Sequence, residues 1–130
     1  MAVTHSIAAR NAATDAVTAL ISTSGKLVFR ISPSSVGSPG TAVATLSLSA
    51  TAFGAASSGT ATANAITSDT NATGNASPVA YATLQTSGGT VVIQCSVAAS
   101  GSDINMTNGL TVAAGDTVSC SSLTYTALSA

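Results

Sequence analysis

GKLVFRI, residues 25–31, decides how the rest of the chain is read. The glycine closes one pattern, and the six residues after it open another. Upstream of Gly25 the apolar residues recur at helical spacing. Downstream they recur every second residue, the period of a strand with one buried face. One short helix followed by a long β region is therefore the predicted order.

The helix is predicted over residues 6–21, SIAARNAATDAVTALI. Ser6 can cap its start, because a serine hydroxyl accepts one of the free N–H groups of a first turn. Ala9, Ala13, Ala16, Val17 and Leu20 share one face, and Arg10, Asn11 and Thr14 lie off it. Gly25 follows as a stop. The apolar stripe is mostly alanine, so it buries little area. A helix of this length is marginal alone in water and needs a partner surface.

Beyond Gly25, KLVFRI (26–31), AVATLSLS (42–49), TATANAIT (60–67), VAYATLQ (79–85) and TVVIQCSVA (90–98) read as strands. INMT and GLTV, on either side of Asn108–Gly109, add two short ones. Phe53 is expected to plug the core. In the last strand, residues 117–128, Val118 and Cys120 share one parity while Leu123 and Tyr125 share the other. That switch predicts a bulge at Ser121–Ser122, or a strand that passes between two sheets. Loops rich in Ser, Pro, Gly and Asn separate these runs at the ~8–12-residue spacing of an antiparallel sandwich or barrel. The expectation is a mainly β fold: an antiparallel β-sandwich, jelly-roll or immunoglobulin-like, of about 7–9 short strands with one N-terminal α-helix. Residues 1–25 form an arm and helix, and residues 26–130 the sandwich, in a single domain.

Composition limits the chemistry. Charged residues make up 5% of the 130, against roughly 25% in an ordinary domain. Three cations, Arg10, Lys26 and Arg30, stand against Asp15, Asp69, Asp103 and Asp116 for a net charge of −1. Three scattered cations make no phosphate-neutralising patch, so neither nucleic acid nor an anionic membrane surface is an expected partner. No apolar run reaches the ~20 residues that span a bilayer. MAVTHSIAARNAATD lacks the charged and apolar regions of a signal peptide, so folding in a cytosol is expected.

Catalysis needs titratable groups or a cofactor. His5 is the single histidine and has no second ligand type beside it, so no metal site is expected. No G-x-S-x-G motif is present. Asp69, Asp103 and Asp116 fall in predicted turns, where an aspartate accepts backbone hydrogen bonds. Cys95 and Cys120 take inward strand positions, where they act either as small buried hydrophobes or as a late disulfide. No enzyme, no catalytic residue and no cofactor is expected. What remains is surface: small side chains that pack closely at little cost in rotamer freedom.

Several segments carry a resemblance to a family of small structural virion proteins of tailed bacteriophages. They are MAVTHS with ARNAATDAV behind it, GKLVFR (25–30), AFGAASSGTATANAITSDT (52–70), SGSDINM (100–106) and GDTVSCSSLTYT (115–126). Together they touch nearly the full length in order. The resemblance implies a decoration or cement protein made in the host bacterial cytoplasm and placed on the capsid surface. It would bind the major capsid protein and self-associate as a dimer or trimer. A tail, collar or receptor-recognising tail-tip component is the alternative. The partner-contact residues expected from this reading are Ala2, Val3, Thr4, His5, Ser6 and Ile7, with the alanine face of the helix beside them.

Overall fold

The computed structural model describes residues 3–130; Ala2, one of the expected contact residues, lies outside them. Among these residues one helix, α1 (Ile7–Ala19), precedes seven strands. These are β1 (Lys26–Ile31), β2 (Ala42–Ser47), β3 (Thr60–Thr62), β4 (Val79–Gln85), β5 (Val91–Ala98), β6 (Ile104–Asn105) and β7 (Thr124–Thr126). The protein is mainly β with one helix, as the change of period at Gly25 predicts.

The strands form a five-stranded sheet in the order β2-β1-β4-β5-β6 and a two-stranded sheet of β3 and β7. β1 is an interior strand, and its even and odd positions are both used. Leu27 and Phe29 belong to the core, and Val28 is buried outside that cluster. β1 pairs antiparallel with β2 (Leu27 opposite Leu46) and with β4 (Leu27 opposite Leu84), which puts leucines on one face across three strands. Register shifts at Phe29/Arg30 and Arg30/Ile31 curl this end of the sheet.

The expectation of a wholly antiparallel sheet fails at its edge, where β6 runs parallel to β5. Parallel neighbours ordinarily need a long crossover. Here residues 99–103 suffice, because β6 has only two residues and side chains tie the bend. Asp103 Oδ2 accepts from Ser96 N and Ser96 Oγ, both at 3.0 Å, and Ser96 Oγ and Ser102 Oγ share a 2.6 Å hydrogen bond. The result is a mixed sheet.

The last strand is also shorter than expected. Val118 makes an isolated bridge with Asp69, and pairing resumes only at Thr124–Thr126, against β3 in the second sheet. The chain thus bridges to Asp69 before the parity switch at Ser121–Ser122 and pairs with β3 after it. Val118 and Leu123 are buried, and Cys120 and Tyr125 pack against the same core. The expected strand over GLTV is not formed, although Leu110 O and Val112 O accept from Val79 N and Asn75 N. Phe53 is buried in the core, as expected.

Candidate docking surface

Helix α1 starts at Ser6, whose hydroxyl accepts from Ala9 N at 3.1 Å, as the sequence predicts. Its orientation is the reverse of the expected one. Thr14 is the fully buried residue of the helix (0% exposed), and Arg10 and Asn11 are half-buried beside it. Ala9, Ala16 and Leu20 of the predicted inward stripe are exposed, while Ala13 and Val17 sit at its border, half-buried.

Hydrogen bonding explains the inversion. The hairpin at residues 57–60 and the chain after β7 present backbone groups with no ladder partner, and such groups are costly to bury unpaired. The polar side of α1 supplies the partners. Thr14 Oγ1 donates to Gly59 O at 2.6 Å and accepts from Ala127 N at 3.1 Å. Asn11 Oδ1 accepts from Gly59 N at 2.7 Å, and Asp15 Oδ1 accepts from Ala56 N at 2.8 Å. Arg10 donates through Nε to Leu128 O and through Nη2 to Ser58 O, each at 3.1 Å. Ile21, just past the helix, is the apolar anchor, with 0% of its surface exposed. An alanine face could offer these backbone groups nothing.

Gly59 permits the close fit. Its φ is +83°, a region an L side chain rarely adopts, and a Cβ there would stand 3.0 Å from the Arg10 guanidinium.

The opposite side of α1 is left to solvent. Ala8, Ala9, Ala12, Ala16, Ala19 and Leu20 are all exposed, Leu20 at 64%. A shallow groove of about 360 Å³ runs alongside, where Ala19 meets Ala50, Ala52, Phe53 and Ala55. Asp15 is the one charged residue on its lining. Of the expected contact residues, Val3, Thr4, His5, Ser6 and Ile7 are exposed at the start of this helix. His5 Nδ1 lies 2.7 Å from Ala130 O, so the N-terminal arm meets the end of the chain. Ser6 is occupied as the helix cap.

The sequence pattern predicts no such role for the clamp residues Arg10, Asn11, Thr14 and Asp15. Their signal was present: polar residues at positions 10, 11, 14, 15 and 18 also recur at helical spacing. A polar stripe is read by default as the wet face.

The remaining chemistry-bearing groups are engaged locally. Asp69 accepts from Thr45 N at 2.8 Å and from Asn71 N at 3.0 Å, and Asp116 accepts from Ala113 N at 2.9 Å. Cys95 and Cys120 are free thiols. Burial, with the Asp103 charge adding to it, pushes the Cys95 thiol up to about 11. Burial raises Cys120 as well. Both are poor nucleophiles at neutral pH, since the thiolate is the reactive form. Among the described residues no three His, Cys, Asp or Glu side chains are grouped to hold a metal ion. No helix among them is long and apolar enough to cross a membrane.

No protein-family model matches the chain, and neither a curated protein nor a solved structure does.

Proposed function

We propose that the protein is a structural component of a bacteriophage particle, a decoration or cement protein that seats on the capsid lattice and stabilises the head. One observation carries the reading. Helix α1 turns Thr14, Asn11 and Arg10 inward and leaves a face of alanines on the outside, continued by a groove of small side chains in which Asp15 is the one charge. A face of small side chains permits close approach, loses little rotamer entropy on burial and contains no ion pair for salt to screen. These properties suit a subunit held permanently against its neighbours. Scarcity of ionisable groups supports a role without turnover, and the resemblance of the sequence to small virion proteins supports the location.

The partner in this reading is the major capsid protein, and the contact is α1 with the arm that precedes it. Purified particles should carry the protein in fixed stoichiometry. Ala12→Arg and Ala16→Arg, placed in the middle of the exposed face, should fold normally and be lost from particles. Particles that keep both variants at full occupancy exclude the helix face as the contact. Particles that lack the wild-type protein altogether exclude the virion role, and labelled protein found at the tail moves the role there.

A further inference from the structure

We propose that Asn108 is a site of spontaneous covalent modification, at which the folded protein loses a side-chain amide and gains a carboxylate. The step is deamidation across Asn108–Gly109. It needs only water, and it stands or fails independently of the function proposed above.

The chemistry sets two conditions. The backbone N of Gly109, once deprotonated, attacks Cγ of Asn108. An N–Cγ bond forms, the Cγ–Nδ2 bond breaks, and ammonia leaves with the proton, closing a five-membered imide. Water then adds to one of the two imide carbonyls and reopens the ring. Opening at Cγ gives aspartate; opening at the main-chain carbonyl gives isoaspartate, whose backbone runs through Cβ and Cγ. Nothing is oxidised or reduced: amide and water enter, acid and ammonia leave. The attacking N–H must therefore be free of a hydrogen bond, and the chain must be able to swing it onto Cγ. A glycine after the asparagine removes the Cβ that obstructs the swing.

The fold withholds these conditions from the other five asparagines. Asn11 lies inside α1, and its Oδ1 accepts from Gly59 N at 2.7 Å. Asn64 Nδ2 donates to Thr51 O at 2.7 Å, and Asn75 Oδ1 accepts from Ser77 N at 2.8 Å. After Asn71, Ala72 N donates to Asp116 O at 3.0 Å, and after Asn105, Met106 N donates to Ala98 O at 2.8 Å. All five are followed by alanine or methionine.

Asn108–Gly109 differs on each count. Both residues are exposed, and neither the Asn108 side chain nor Gly109 N makes a hydrogen bond among the described residues. Gly109 has φ +105°, and beyond its chain neighbours no heavy atom stands within 4 Å of where a Cβ would be, so the turn has room to rearrange. The chain is anchored again at Leu110 O and Val112 O, which accept from Val79 N and Asn75 N at 2.9 Å each. The reacting bond lies outside these anchors, so the extra main-chain carbon of isoaspartate is taken up in the turn and the fold persists.

The product changes the surface. Asn108 lines the groove beside β6 together with Asp103 and Asp116, and no Lys, Arg or His lines it. Deamidation places a third carboxylate there, on a chain whose net charge is already −1. A molecule with so few charges thus carries a slow, one-way change in the charge of one face.

Peptide mapping by mass spectrometry tests this on the full chain, aged in warm, mildly alkaline buffer with and without urea. In the native protein Asn108 should be the first asparagine to convert, at a rate within about tenfold of its own rate in urea, whereas folding should slow the other five more than that. The native rate should rise about tenfold per pH unit, following the deprotonated fraction of Gly109 N. Anion exchange should resolve one growing acidic species, and isoaspartyl methyltransferase should label it. Asn108→Gln, at an exposed position without a bonded partner, should fold as wild type and lose both signals, because the longer side chain closes its ring poorly. Three results overturn the proposal: native Asn108 protected more than about tenfold relative to urea, another asparagine converting first in the native chain, or an acidic species that grows at the wild-type rate in Asn108→Gln.

Discussion

Thr14 satisfies two backbone groups with one hydroxyl, at Gly59 O and Ala127 N, at a site fully closed to water. Thr14→Val keeps the shape and leaves both groups unpaired. At about 1–3 kcal/mol for each buried orphan, the variant should lose about 2–4 kcal/mol in urea unfolding, and Thr14→Ser should recover most of it. A loss within error for Thr14→Val would show that α1 is held by something other than its polar side. Cys95 offers a second test at this scale. Its thiol is pushed up to about 11 from an ordinary value of 9.0, so the folded state favours the protonated form. The associated stability is complete below pH 9 and declines as pH rises from about 9 towards about 11. Native protein at pH 8 should therefore alkylate at Cys95 far more slowly than urea-unfolded protein, with mass spectrometry of the labelled peptide as the readout. Equal rates in the two states would contradict the burial described for that strand.

At the scale of the element, α1 shows what periodicity conveys and what it leaves open. The length, the Ser6 cap and the approximate end of the helix were legible, because capping and spacing are local physics. Which side turns inward was not. Two stripes at helical spacing run along residues 6–21, one alanine and one polar, and the choice depends on what the body presents. The body presents unpaired backbone at residues 56–59 and 127–128, formed by segments far away in the sequence. No local pattern announces that. KLVFRI and VAYATLQ were legible to the residue because alternation and aliphatic content agree there. The parallel β6 was hidden for the reverse reason, since it rests on Ser96, Ser102 and Asp103 in a tight bend. If the outward face of α1 is free in the isolated molecule, Ala12→Arg and Ala16→Arg should each leave the unfolding free energy within about 0.5 kcal/mol of wild type. A loss of about 2 kcal/mol or more would place that face inside the fold.

Across the described residues, charged side chains are hydrogen-bonded to neutral groups, backbone and side chain alike. Arg10, Lys26 and Arg30 donate to neutral oxygens, and the four aspartates accept from backbone N–H groups. Such a fold has little exposed Coulomb energy for salt to screen. The melting temperature should move by less than about 2 °C between ~0.05 M and ~1 M NaCl in differential scanning calorimetry. A shift several times larger would reveal charge pairs that hold the molecule together. The same economy leaves the outer surface to small neutral side chains, and the proposed role rests on that surface fitting a neighbour. The most direct measurement is a cryo-EM map of the intact particle with the molecule fitted into it. The account predicts regular copies on the outside of the capsid, with Ala12, Ala16 and the neighbouring groove pressed against the shell. Copies whose α1 faces solvent on every site, or a capsid bare of the protein, would contradict it.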